Sequence, residues 1–189
     1  MNDTENLLDA GLSVKQVKYA QLMRRAAGSL IDGLILCCFV LPLTYFNMLD
    51  WKNPGIYIGM SLISLLYKPF MEYQYGATLG KMAVKIKVVN YAYEKADMTN
   101  VLMRNIITIL LAIVSVIMSV SIFYLPGFES IHDFMAYATF VNQNKTVNWI
   151  NWITWIYYLI DVIFLLTDET KRTLHDRIGK TYVIMMEGD

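Results

Sequence analysis

The chain has 189 residues, 56% hydrophobic and only 17% charged, and its 16 basic and 16 acidic residues leave no formal net charge. No basic surplus is available to hold nucleic acid, and unbroken apolar spans in place of helical stripes exclude a water-soluble core. Twelve Met, thirteen Tyr and four Trp fit an apolar bundle with aromatic belts at its two interfaces.

Residues 1–18 read as a polar cytoplasmic tail. No cleavable signal peptide is expected: the first apolar run begins near residue 26, is too long, and lacks a small-residue cleavage site. The pattern predicts an all-α membrane protein, a bundle of four transmembrane helices over residues 19–186, with residues 187–189 as a C-terminal end. The first span covers about 26–46, roughly 21 residues or about 31 Å of helix. The second covers about 55–73; its clean apolar part ends at Tyr67, so it must include Lys68 and is expected to kink at Pro69. The third and fourth cover about 105–123 and 149–167. Basic residues orient the bundle. They gather before the first span (Lys15, Lys18, Arg24, Arg25), between the second and third (Lys81, Lys85, Lys87, Lys95, Arg104), and after the fourth (Lys171, Arg172, Arg177, Lys180). The two other loops hold only Lys52 and Lys145, so both termini and the middle segment are expected in the cytoplasm.

Charges inside the spans stand out against this background. From Ala26 to Phe46 the only charged residue is Asp32, two turns inside, where a carboxylate costs roughly 2.5–3.5 kcal/mol on insertion scales. Two turns of helix bring Arg25 and Asp32 to nearly the same face. Lys68 and Asp161 fall at a similar depth, each about 8–9 Å inside the inner boundary. Such groups define a candidate transport site. The structural reading is that Lys68 snorkels or pairs with Glu72, while Arg25 and Asp32 lock the first helix against a partner. Cys37 and Cys38 are adjacent in the first span and read as structural thiols.

The segments between spans carry a second signal. Gly76-Ala77-Thr78-Leu79-Gly80-Lys81 leads into Val84-Lys85-Ile86-Lys87-Val88, and His175-Asp176-Arg177-Ile178-Gly179-Lys180 leads into Thr181-Tyr182-Val183-Ile184. Both tails are strand-like or amphipathic, and together they could form a small sheet under the bundle. Gly80-Lys81 is not a phosphate loop, because no glycine stands at the required upstream spacing and Met82 replaces Ser/Thr. A weak internal echo pairs Leu22-Met23-Arg24 with Leu102-Met103-Arg104, and residues 79–81 with 178–180; matches this short are expected from chance. Enzyme chemistry is not expected. The two histidines, His132 and His175, fall on opposite sides of the membrane, and no nucleophile or metal set accompanies His175-Asp176. No cofactor is expected.

The string from Tyr19 to Asp32, with Arg24-Arg25-Ala26-Ala27 and Leu30-Ile31-Asp32, resembles the opening of RDD-family membrane proteins. The resemblance continues in Gly76-x-Thr78-Leu79-Gly80-Lys81 with Lys87-Val88-Val89, and in Leu174-His175-Asp176 followed by Gly179-x-Thr181-x-Val183. By position it carries over the family's arginine to Arg25 and its two aspartates to Asp32 and Asp176, with Asp168 as a charge often seen after the last helix. Lys68, Asp161, Gly80, Lys81 and His175 are secondary candidates. Two features depart from the family: a loop of roughly 25 residues, Tyr124 to Asn148, and Asp161, which matches no family mark. The resemblance implies a multi-pass protein of a prokaryotic plasma membrane, and cation/proton or small-solute transport with Asp32 as the site and Arg25 tuning it. Four helices were expected to enclose little polar volume, so that reading predicts a homo-oligomer in the bilayer. The alternative is a scaffold or accessory subunit whose basic cytoplasmic face binds lipid or a protein partner.

Overall fold

The fold follows from where capping residues start and stop each apolar run. A computed structural model describes residues 17–143 and 145–186, the side chains of 145–148 apart. The expected polar tail lies outside the described residues up to position 16, as do residues 187–189. Helix α1 (Leu22–Phe46) runs into a π-helical turn at Asn47–Trp51. Asn53 accepts hydrogen bonds from the backbone of Gly55 and Ile56 and starts α2 (Pro54–Tyr75), with Pro54 in the first turn, where a missing N–H costs nothing. The helix is continuous through Pro69 and ends at Gly76, whose φ of 73° suits a residue without a side chain. Thr78 then caps the short α3 (Leu79–Ala83), and β1 (Ile86–Asn90) follows.

The second half repeats this order. A capping box between Asp97 and Asn100 starts α4 (Met98–Ile122) seven residues ahead of the expected span, so Arg104 lies inside the helix and is 2% exposed. The loop expected over 124–148 contains a 3₁₀ turn (Phe128–Ser130) and α5 (Phe134–Gln143). Helix α6 (Lys145–Thr167) leads to α7 (Leu174–Ile178), capped by Thr173, and to β2 (Thr181–Met185). Among the described residues three helical stretches are long and apolar enough to cross a membrane: Leu22–Trp51, Met98–Ile122 and Trp149–Thr167. The 22-residue α2, with Lys68 and Glu72 inside it, is not among them.

The two expected strand segments pair as one antiparallel sheet whose register is symmetric about Val88 facing Val183: Ile86 faces Met185 and Asn90 faces Thr181. Each strand also takes a single bridge on its outer edge, from Tyr19 to Ile184 and from Lys95 to Val89, just before α1 and α4 begin. α1 and α4 are both 25 residues long. Lys85 and Lys180, immediately before the strands, share positive φ values of 57° and 52°. The two halves are therefore one helical hairpin, short helix and strand, used twice.

Ala20, Ile86, Val88, Ala96, Val101 and Val183 form a core at the sheet end of the bundle. Met48, Leu49, Ile122, Phe128 and Ile131 form a second core at the loop end. Between them the helices present Leu34, Phe39, Ile63, Leu66, Ile117, Trp152 and Leu159 outward, the surface a bilayer would cover.

α1 buries only Gly28, where α3 crosses it. A methyl group on Gly80 would sit 2.1 Å from the Gly28 carbonyl oxygen, against backbone that cannot yield, whereas Gly33 faces open space. Gly80→Ala should therefore lower stability by about 1–3 kcal/mol and Gly33→Ala should leave it unchanged, as measured by thermal unfolding in detergent; equal behaviour would refute the close crossing.

Candidate functional site

The turn from α2 into α3 aims its polar groups at α1. Thr78 donates its hydroxyl to Asp32 Oδ2 at 2.5 Å, and the Gly80 N–H donates to Asp32 Oδ1 at 2.8 Å. Tyr67, from the last turns of α2, adds its hydroxyl to Oδ1 at 2.8 Å. Asp32 is thus held by three neutral donors, and among the described residues no cation forms an ion pair with it.

Arg25 shares a helix face with Asp32 but serves a different partner. Helical side chains lean toward the N-terminus, so the long arginine reaches away from Asp32. Its Nη1 pairs with Asp176 Oδ2 at 2.5 Å, Nη2 donates to the Lys171 carbonyl at 2.6 Å, and Nε donates to the Ala20 carbonyl at 3.1 Å. The two residues form separate polar nests on one helix.

Asp176 is fully buried at the third position of α7, where it also accepts from the Thr173 N–H at 3.0 Å, the reciprocal of Thr173's own cap. Its Oδ1 pairs with Arg104, which also donates to Thr181 Oγ1 at 2.9 Å. Arg104 Nε lies 3.3 Å from Glu72 Oε2, and Glu72, also fully buried, pairs with Lys81 and accepts from Asn105 Nδ2 at 3.2 Å. The result is an alternating series, Lys81–Glu72–Arg104–Asp176–Arg25, that ties α3, α2, α4, α7 and α1 together. Glu72 takes these partners and not Lys68, which forms no ion pair among the described residues.

His175, next along α7, faces Asp161 of α6: its Nδ1 lies 2.5 Å from Asp161 Oδ2 and its backbone N–H donates to Oδ1 at 3.3 Å. Burial, helped by nearby Arg104, pushes the imidazole down to about 4, against the pull of Asp176 and Asp161. Burial pushes the Asp176 carboxyl up, but Arg104, His175 and Arg25 hold it well below its usual range. Burial also brings the Lys81 ammonium down to about 8 despite Glu72. Asp168, outside this network, holds Arg172 at 2.8 Å, and Arg172 in turn lies over the rings of Tyr91 and Tyr182.

A cavity of about 850 Å³ lies between the helices and brings together the charges that the sequence placed at one depth: Asp32, Lys68 and Asp161, with Arg25, Lys81 and His175. Asp176 and Gly80 stand behind this wall and hold it. Above the charged floor the lining carries a ladder of hydroxyls. Tyr57, Ser61 and Ser64 continue up α2 from Lys68, and Thr108 and Ser115 continue up α4 from Asn105. Sequence reading passed over this ladder and over Glu72 and Arg104. The ladder's signal was present as polar residues at helical spacing, positions 57, 61, 64 and 68.

Asp176→Asn removes the charge shared by two buried guanidinium groups and should cost about 3–5 kcal/mol of stability in thermal or denaturant unfolding; a smaller loss than 1 kcal/mol would show that the arginines are held by their carbonyl and hydroxyl acceptors alone. Acid should act through the same groups. The unfolded His175 takes its proton near 6.5 and the folded one near 4, so its contribution is complete above 6.5 and is lost as pH falls through that window, with Asp176 adding a loss further down. The melting temperature should therefore decline as pH drops from neutral to about 4, and His175→Asn should flatten the upper part of that decline.

No curated protein and no solved structure matches the chain. A model of the RDD family does match, over residues 19–180, which takes in Arg25, Asp32, the Thr78–Lys81 turn and Asp176. With helices long and apolar enough to span a bilayer and a match over most of its length, the chain belongs to the RDD family.

Proposed function

We propose that this RDD-family protein is a multi-pass carrier that moves a monovalent cation or proton across a prokaryotic plasma membrane, with Asp32 as the cation-binding group. The observation that carries the reading is the setting of that carboxylate: it lines the cavity, accepts hydrogen bonds from three neutral donors, and forms no ion pair among the described residues. An entering cation would supply the missing charge, and the hydroxyls of Tyr67 and Thr78 offer oxygen lone pairs beside it. The ladder from Lys68 to Tyr57 gives polar footing through a region otherwise apolar. Among the described residues no three His, Cys, Asp or Glu side chains converge, so the chemistry on offer suits a weakly held monovalent ion.

In this reading α2 is the fourth span, 22 residues long and packed on α4. The basic residues at the sheet end favour a cytoplasmic side for both termini and the sheet. One chain lines the cavity without enclosing it, so in this reading the carrier works as a homo-oligomer that closes it.

The test uses purified protein in liposomes loaded with a pH-sensitive dye, with sodium, potassium or lithium added outside. Wild type should move protons in response to at least one cation, and Asp32→Asn, reconstituted equally well, should fall to the level of empty vesicles. Unchanged movement in the variant would remove Asp32 from the path. A silent wild type, under both ion gradients and membrane potential, would favour a scaffold that binds anionic lipid or a partner through its basic face.

A further inference from the structure

The carrier reading uses α1, α2 and α3; a second titratable group on the same cavity, on α6 and α7, has no part in it. Both oxygens of Asp161 are engaged by one residue, His175, through the ring and the backbone N–H. With Asp161 ionised, the contact at 2.5 Å requires the proton on Nδ1, which leaves Nε2 as a bare lone pair. That lone pair lies 3.7 Å from Asp176 Oδ1, too far for a hydrogen bond and close enough to welcome a positive charge. The ring is thus set between two carboxylates with one nitrogen empty.

We propose that the Asp161–His175 pair is a proton-binding site separate from Asp32, loading on Nε2 and competing with Arg104 for Asp176 Oδ1. The proposal rests on the carrier reading and supplies its second substrate. A proton from cavity water adds to the Nε2 lone pair, neutral imidazole becomes imidazolium, and the proton departs by the reverse step; no other bond changes. Because Asp176 Oδ1 already holds Arg104, the loaded ring weakens one link of the series that joins α7 to α4 and, through Oδ2, to α1. Protonation is thereby felt at the helix that carries Asp32.

The groups facing the pair are Asp161, Tyr157 and Tyr158 from α6, Asp176 from α7, Arg104 from α4, Lys68 from α2 and Arg25 from α1. Burial, with Arg104 and Lys68, keeps the ring neutral against the pull of Asp176 and Asp161, so the conformation described is the one that gives its proton up. Lys68 is the member of that set without an ion pair, and therefore the one free to change the balance. A cation on Asp32 adds further positive charge and drives the proton off, which is the sign an exchanger needs. By linkage the effect is reciprocal.

The experiment is a nitrogen-15 histidine titration of the full chain in lipid nanodiscs. The chain holds two histidines, and His132→Gln, an exposed position in the loop between α4 and α5, leaves His175 as the sole signal. The expected spectrum is a neutral ring protonated on Nδ1 at neutral pH that gains a second proton on acidification. The midpoint should move to lower pH by roughly one unit, a 10-fold coupling, when the transported cation is added. A ring protonated on Nε2, or a midpoint indifferent to the cation, would overturn the assignment. In liposomes, His175→Asn keeps an amide to donate to Asp161 and should retain cation-for-cation exchange while losing cation-driven proton movement by roughly 10-fold or more. Wild-type proton coupling in that variant, or loss of both activities in His175→Asn and Asp161→Asn alike, would mark the pair as structural and refute the proposal. A wild type that moves no cation removes the carrier reading alone, and the proton uptake expected in the titration still decides the site.

Discussion

A carboxylate with no exposed surface, Asp176, is shared between two guanidinium groups from helices that are otherwise far apart in the chain. Burying such charges is costly unless each is matched, and here every member finds its match in the next: Arg25 and Arg104 on Asp176, Arg104 and Lys81 on Glu72. The series carries three positive charges and two negative ones, so it holds one surplus charge in a poorly solvated place. Backbone carbonyls of Ala20 and Lys171 and the hydroxyl of Thr181 take up further donors, while Arg104 Nε, 3.3 Å from Glu72, makes no hydrogen bond. In a bilayer, where apolar side chains gain little by turning from lipid toward one another, such polar contacts decide which helices sit together.

That arrangement leaves Asp32 for something else. A carboxylate already paired with an arginine is spent as a binding group; one held by two hydroxyls and an amide is positioned, and among the described residues it forms no ion pair. The family's arginine and its helix aspartate are seven residues apart and look like a pair when the helix is drawn alone. Packing separates their tasks: Arg25 belongs to the framework with Asp176, and Asp32 faces the cavity.

The long helices and the sheet were legible because they rest on local periodicity and on residues such as Asn53, Gly76 and Thr78 that start or stop elements. The charges of the apolar runs were legible as well, and Asp32, Lys68 and Asp161 do line one cavity. What could not be read was who pairs with whom. Arg104 looked like a basic residue ahead of the third span, because the Asp97–Asn100 capping box that draws the helix start back past it has no apolar signature. Glu72 looked like a neighbour for Lys68, one turn away, and is claimed instead by groups from α3 and α4. The short echo between the halves pointed to a real repetition, but its matching tripeptides are not the residues that the sheet sets opposite one another. Lys81 and Asp176 each sit third in a short capped helix before a strand, and they carry opposite charges there; identity of place without identity of side chain is invisible to a search for matching letters.

The strand order also bears on how the chain is made. Ala20 donates to the Val183 carbonyl and Arg25 depends on Lys171 and Asp176, so the start of the first span is completed by residues from the last eighth of the polypeptide. A nascent chain that stalls before α7 holds the Lys81–Glu72–Arg104 links but lacks Asp176, the member that joins α1 to α4, so the first span stays unclasped until the polypeptide is all but complete.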